Sequence, residues 1–328
     1  MLSWLGDLLH RPGDGTRHRA GGAAGRLSHA ALFYRGESEY LAGVSQFVSS
    51  AVGRGEPVLV AVPAGRLELL REGLAASDGQ VIFADMARMG QNPAWIIPAV
   101  QAFLDRHPGQ QVSCVGEPAW PERSASELRE AIKHEALFNQ ACSGAPAAAL
   151  CPYDARGLPG CVLADAERTH PVVVRQGSRR ASGSYLGPAR VPESCRQPLP
   201  GPPATAARLG YGGDLRALRE LVASQAISAG LPEHRIPDLV LAVSEVAANT
   251  LRHARGSGVL HVWHTPEEIV CQLGDDGWIA DPLAGRERPR ADRAGGQGLW
   301  VVNQVCDLVE LRSCQSGTTA RLHMSLGG

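Results

Sequence analysis

The chain has 328 residues, 44% of them hydrophobic and 20% charged, which predicts two packed domains and excludes a disordered polypeptide. Lys and Arg together number 32 against 33 Asp and Glu, a balance that excludes a generally basic nucleic-acid binder. The only lysine, Lys133, lies between Ile132 and His134, so a Gly-Lys-Ser/Thr phosphate loop is excluded too.

The N-terminal stretch Leu2 to Leu9 is interrupted by Asp7 and has no small-residue cleavage site after it. No apolar run reaches the roughly 18–20 residues that cross a bilayer. A cytoplasmic protein with neither secretory signal nor membrane contact is expected. The eight cysteines, at 114, 142, 151, 161, 195, 271, 306 and 314, include no C-x-x-C pair. They read as reduced and mostly buried, without the spacing of a cysteine-cluster zinc site.

In chain order, residues 1–27 read as a flexible leader, Gly-, Arg- and Ala-rich from residue 11. Apolar runs at Pro57–Val62, Gln80–Ala84 and Val112–Val115 then alternate with helical patterns at 38–52, 66–76, 94–105 and 124–142. Fully apolar strands alternating with helices predict an α/β domain with a mostly parallel sheet covered on both faces, over 28–175. Residues 176–205, ending in Pro198-Leu-Pro-Gly-Pro-Pro203, read as an extended linker. From 206 to 328 a helix opens at Asp214, a plausible N-cap, and closes at Gly230; a second runs from about Pro237 to Ala254. Hairpin-like pairs follow at 259–264 with 269–274 and at 308–313 with 319–325, separated by a helix over 295–306. That order predicts an α+β layer of helices on a mixed sheet.

Four short pieces of this half bear chemistry. Glu245 and Asn249, spaced i,i+4, share a helix face. A carboxylate there can orient or deprotonate a hydroxyl, and an amide oxygen is a hard Mg²⁺ ligand, although a solvated helix face has the same composition. Asp275-Asp276-Gly277 at a strand end offers an acceptor for an exocyclic amine, and equally an ordinary Asp-Gly turn. Gly295-Gly296-Gln297-Gly298-Leu299 leads into a helix whose free N–H groups suit phosphates, and Gly317-Thr318-Thr319 closes the last hairpin.

In this order and spacing the four pieces resemble the Bergerat (GHKL, HATPase) ATP-binding sandwich, over roughly 205–328. The run Ser244-Glu-Val-Ala-Ala-Asn-Thr-Leu-Arg-His-Ala254 is most similar to that of the anti-sigma-factor serine kinases. The resemblance implies that Asn249 ligates Mg²⁺ and that Asp275, supported by Thr318, accepts from adenine. It places Gly277, Gly296, Gly298, Leu299 and His253 around ATP and makes Glu245 the catalytic residue. Ile279 stands where the family's second glycine of the Asp-x-Gly box is usual. Arg286, Arg288, Arg290 and Arg293 read either as a basic lid or as a solvated loop. A sensor histidine kinase would carry a phospho-accepting histidine before this module, and the helix from Asp214 to Gly230 contains none.

The first half resembles the MEDS sensory domain, related to RecA-like folds. The resemblance rests on Ser28-His29-Ala-Ala-Leu-Phe-Tyr34, Arg54-Gly55-Glu56, Gly116-Glu117-Pro-Ala-Trp120, Glu135-Ala-Leu-Phe-Asn139, Cys151-Pro-Tyr-Asp154 and Arg168-Thr-His-Pro171. His29, Cys151 and His170 are candidates to converge on a metal or small ligand, with ordinary buried His and Cys as the commoner alternative. Trp120 and Tyr153 fit a core equally well. Together the two resemblances imply an anti-sigma regulatory protein. Its ATPase module would phosphorylate Ser or Thr of an anti-anti-sigma (STAS-type) partner and sequester a sigma factor, under a small-molecule signal read by the first half. They imply no direct nucleic-acid contact, and a homodimer is an open expectation. A nucleotide-dependent binding switch without phosphoryl transfer is the competing reading.

Overall fold

The computed structural model describes residues 26–74, 80–188, 190–254, 256–289 and 296–327; of the expected leader only Arg26 and Leu27 fall within them. The chain divides into two compact units, Met1–Cys195 and Arg196–Gly328.

In the first unit, strands β1 (Ser28–Tyr34), β2 (Val58–Val62), β3 (Val81–Asp85), β4 (Val112–Gly116), β5 (Ala147–Asp154), β6 (Val172–Arg175) and β7 (Ser178–Ala181) form one sheet in the order β3-β2-β4-β5-β1-β6-β7. Every pairing is parallel except the last, β6 with β7. Helices α1 (Glu37–Gly53) and α2 (Ala64–Gly73) cover one face, where Leu32, Tyr34, Val58, Val60 and Val62 meet Tyr40, Val44 and Val48. Helices α3 (Ile96–Arg106), α4 (Ala125–Ala141) and α5 (Gly160–Thr169) complete the unit, and on its other face Ala31, Phe33 and Tyr153 meet Leu128, Ile132 and Ala166. The period-2 alternation of β1 thus sends Leu32 and Tyr34 one way and Ala31 and Phe33 the other. Ser124 starts α4 with a reciprocal cap: its side chain accepts from Glu127 N–H, and the Glu127 carboxylate accepts from Ser124 N–H.

The parallel sheet matches expectation, but its central strands β1 and β5 were not among the apolar runs. Both are diluted by Ala and by His29, Cys151 and Pro152, and proline in a central strand argues against the assignment. Tertiary pairing overrides that preference.

The second unit is built on β8 (Ala207–Gly212), β9 (Ser257–His264), β10 (Glu268–Asp275), β11 (Leu308–Cys314) and β12 (Gly317–Ser325), in the order β11-β12-β10-β9-β8. Helices α6 (Arg216–Ala229) and α7 (Ile236–His253) and, later in the chain, α8 (Gln297–Val305) accompany it. The expected mixed sheet is instead antiparallel at every pairing: two hairpins are stitched together through β10 and β12, and β8 adds a further antiparallel edge. Leu218, Val222, Leu239, Val243 and Val302 from the helices share one core with Leu260, Val262, Leu273 and Leu322 from the sheet. Leu215 rather than the expected Asp214 is the N-cap of α6, and the Asp214 carboxylate just before it accepts from Arg216 N–H at 2.9 Å; Gly230 ends the helix in the left-handed region at φ 82°.

Residues 176–205 are not a free connection. Gln176 (φ 48°) and Gly177 (φ 73°) make the tight turn between β6 and β7. Farther on, Gln197 and Pro200 offer their carbonyls to Arg312 and Arg321 on the face of the second sheet opposite the helices. Their unpaired carbonyls find donors there, so the prolines that suggested an extended spacer serve an extended strap.

Candidate functional site

Helix α7 buries Leu239, Ala242, Val243, Val246, Ala247 and Thr250. Glu245 and Asn249 lie on its half-buried shoulder, one turn apart as the i,i+4 spacing requires. The first turn of α8 comes up against this shoulder. A side-chain carbon at Gly298 would stand 2.7 Å from Glu245 Oε2 and 3.4 Å from Asn249 Nδ2, so glycine lets the backbone approach both polar groups without displacing the Glu245 carboxylate. Gly296, at φ 80°, is the exposed N-cap of α8. The N–H groups of that first turn have no partner within the helix, and they point toward its N-terminal end.

Asp275 ends β10. Its Oδ2 accepts from the Thr250 hydroxyl at 2.6 Å and its Oδ1 from Gly277 N–H at 2.8 Å. With Thr250 donating to Asp275, the Tyr211 hydroxyl, 3.0 Å from Thr250 Oγ1, donates in turn. This chain of hydroxyls orients the carboxylate while leaving it acceptor capacity, since two oxygens carry about four lone-pair sites. Burial, opposed by the Thr250 hydrogen bond and reinforced by the Asp275 charge, pushes the Tyr211 phenol upward.

Thr318 lies directly opposite Asp275 in the β10–β12 register. Its hydroxyl donates to Gly277 O at 2.8 Å and meets Ser313 Oγ at 2.7 Å. Ser313 Oγ also accepts from Ile279 N–H at 2.8 Å. The loop after Asp275 is therefore pinned where the second glycine is missing. Gly317 makes room for it: at φ 139°, a side-chain carbon there would fall 2.5 Å from Asp275 O.

The structure thus brings Glu245, Asn249 and Gly298 together, and Asp275, Gly277 and Thr318 together. Three others stay outside these groups: Gly296 is the exposed N-cap of α8, His253 is exposed in the last turn of α7, and Leu299 packs toward the core. Of the four arginines, Arg286 is buried rather than lid-like. It follows Gly285, which is held against Leu299 and Asn303, with the Asn303 amide donating to Gly285 O and Leu299 O. Arg288 is exposed, and Arg290, Arg293 and Gly295 lie outside the described residues. Thr250 and Tyr211 were missed by sequence reasoning, although Thr250 directly follows Asn249 and its face of α7 is the buried one.

This donor set fits a magnesium nucleotide. There is one hard amide oxygen on a helix shoulder, a helix N-terminus opened by glycines for phosphate, and an oriented carboxylate at a strand end for an amine. In the first unit His29, Cys151 and His170 also converge, all around Glu135 and all buried. Tyr153 points its hydroxyl to the same Glu135, whereas Trp120 is half-buried beneath the Arg123 guanidinium, 3.9 Å from its ring.

Compared with known families, residues 28–171 match the model of MEDS, the methanogen/methylotroph, DcmR sensory domain. Residues 212–324 match that of the histidine kinase-like ATPase domain. Residues 28–171 are thus similar to a MEDS sensory domain and residues 212–324 to a histidine kinase-like ATPase domain. No curated protein matches. Among solved structures the chain is similar to the RsbU and RsbW domains of Rv1364c from Mycobacterium tuberculosis, at 19% identity and a TM-score of 0.27, over 36% of this chain and 32% of that one. The match thus spans about a third of that chain's length. Among the described residues, no helix is long and apolar enough to cross a membrane.

Proposed function

We propose that the second unit binds Mg-ATP and phosphorylates a serine or threonine of an anti-anti-sigma (STAS-type) partner. The protein would thereby act as a signal-responsive regulator that holds or releases a sigma factor. The observation that carries this reading is the seating of Gly298 against both Glu245 and Asn249, within residues that match the histidine kinase-like ATPase model. Under this proposal Asn249 supplies an oxygen to Mg²⁺, the first turn of α8 faces the phosphates, and Asp275 accepts from the adenine amine. Glu245 orients and deprotonates the attacking hydroxyl. The bound nucleotide contributes the phosphoryl donor, and the metal neutralises its charge.

A second reading, a nucleotide-dependent binding switch without transfer, is favoured by Ile279, whose backbone is tied to Ser313 where the family's loop carries glycine. Calorimetry of Mg-ATP with the full chain tests the pocket. Binding is expected for the wild type, lost in Asp275→Ala and stripped of its Mg²⁺ dependence in Asn249→Ala; a folded wild type that binds no nucleotide overturns both readings. γ-Labelled ATP with a purified STAS-domain protein then separates them, since acid-stable label on that protein requires transfer. Acid-labile label on the chain itself would instead make it a histidine kinase.

A further inference from the structure

The buried cluster of the first unit is assembled from four elements by rules that leave little freedom. His29 on β1 and Cys151 on β5 occupy the sheet face that also carries Ala31, Phe33 and Tyr153, since His29 pairs with Ala149 and Ala31 with Cys151. Glu135 and Asn139, i,i+4 on α4, lie over that face. His170 follows α5 immediately before β6. Exposures are 0% for His29 and His170, 1% for Glu135 and 5% for Cys151.

The hydrogen bonds around the cluster determine where the ring protons sit. The Asn139 amide nitrogen donates to Glu135 O and Thr169 O, so its oxygen is left to accept, and the atom 3.1 Å from it is His29 Nδ1. His29 therefore carries its proton on Nδ1. His170 Nδ1 lies 2.8 Å from Ala166 O, which can only accept, so that ring too is protonated on Nδ1. The other nitrogen of each ring, Nε2, points inward, and among the described residues His170 Nε2 has no hydrogen-bond partner. Glu135 Oε2 stands 3.1 Å from His29 Nε2, 3.6 Å from His170 Nε2 and 3.5 Å from Cys151 Sγ, which is itself 3.3 Å from His29 Nε2. Glu135 Oε1 already accepts from the Tyr153 hydroxyl at 3.2 Å. The Cys151 thiol proton can serve Glu135 Oε2 or His29 Nε2, and none of it reaches His170 Nε2. Buried acceptors facing one another without donors are costly.

A cation resolves this arrangement. Bonds of about 2.0–2.3 Å to N, O and S place tetrahedral ligand atoms about 3.3–3.8 Å apart, close to the four separations above, and all four candidate ligand atoms lie within 4.8 Å of one another. Holding each imidazole by its outer N–H against an oxygen is how proteins orient metal-binding histidines. We propose that His29, Glu135, Cys151 and His170 form a four-coordinate site for a borderline-soft divalent transition ion of the Zn²⁺ class. Two imidazoles and a thiolate disfavour Mg²⁺ and Ca²⁺. Thiolate and carboxylate together balance the charge of the ion, and binding releases the Cys151 proton.

The test uses the full chain, stripped with a chelator and titrated with Co²⁺ and then Zn²⁺. One equivalent of Co²⁺ per chain is expected, with a thiolate-to-cobalt charge-transfer band that Zn²⁺ bleaches. Cys151→Ser, nearly isosteric, removes the band, while Cys161→Ser, at an exposed cysteine, leaves it. His170→Ala lowers Zn²⁺ affinity by more than the roughly 10–100-fold expected for Asn139→Ala. Should His170→Ala fail to fold, Cys151→Ser decides alone. A folded wild type that shows no charge-transfer band, or a band that survives Cys151→Ser, overturns the site. The band requires sulfur, so cobalt bound near Asn249 does not produce it.

Discussion

The two polar constellations differ in how they meet water. Glu245, Asn249 and Asp275 of the second unit sit half-buried on a helix shoulder and a strand end. The four side chains around Glu135 in the first unit are at most 5% exposed. The first arrangement suits a ligand that must enter, turn over and leave, because its polar groups are solvated when it is absent. The second leaves polar atoms dry unless something permanent satisfies them. The same residue type shows how far surroundings decide. Burial and the neighbouring His29 drive His170 down to about 3, whereas His323, also buried, is pushed up to about 9. For His323, burial opposes the charge, but hydrogen bonds to Glu268 at 3.0 Å and Glu310 at 3.3 Å outweigh it.

The largest expected effect breaks the comparison on the exposed side. Glu245→Ala should cut phosphoryl transfer by about 10²–10⁴-fold while Mg-ATP affinity, read by calorimetry, and the urea midpoint stay near wild type. Removing the other carboxylate should do the reverse. Glu135→Ala strands the Tyr153 hydroxyl and the Cys151 thiol in a dry core and should cost about 3 kcal/mol in chelator-treated protein, measured by urea unfolding, with nucleotide binding unchanged. A stability loss in the first variant, or none in the second, would erase the distinction between an open site and a buried one.

A smaller effect concerns pH. The folded pKa of His323 lies above the ordinary imidazole value near 6.5, so its contribution is fully present below pH 6.5 and disappears as pH rises through about 9. Urea unfolding of the second unit should therefore weaken by on the order of 2 kcal/mol between those limits, and His323→Gln should flatten the profile. Smallest is Gly298→Ala. The new methyl meets the movable end of Glu245 rather than backbone, so the fold should survive and Mg-ATP binding fall by about tenfold, or roughly 1.4 kcal/mol.

The two sites were unequally legible. Glu245, Asn249, Asp275, Gly277, Gly298 and Thr318 could be picked from sequence because one helical turn, one strand end and one hairpin each keep their residues close in the chain. Thr250 and Tyr211, which orient Asp275, carry no such signal, since a threonine inside a helix and a tyrosine on an edge strand look ordinary until β8 and α7 are packed together. In the first unit His29, Cys151 and His170 were visible as candidates. Glu135, around which they gather, stood in plain view in Glu135-Ala-Leu-Phe-Asn139, yet a carboxylate on a helix reads by default as a solvated one.

The strap over the second sheet was misread for a related reason. Prolines exclude helix and weaken strand, and that much is local, but whether an extended segment hangs free or lies across a surface depends on what its carbonyls meet. Arg312 and Arg321 waited on the far face of the sheet, paired with Glu310, which is fully buried. Sequence by itself determined the alternation of apolar strands and helices in the first half, the i,i+4 pair on α7 and the glycines where backbone must come close, because these follow from periodicity and sterics within a few residues. Only tertiary structure decided that the second sheet is antiparallel throughout, that residues 196–205 strap it, and that two histidines, a cysteine and a glutamate share one dry point. Those outcomes depend on strand order and register, which are set by packing between segments as many as 141 residues apart, as His29 and His170 are.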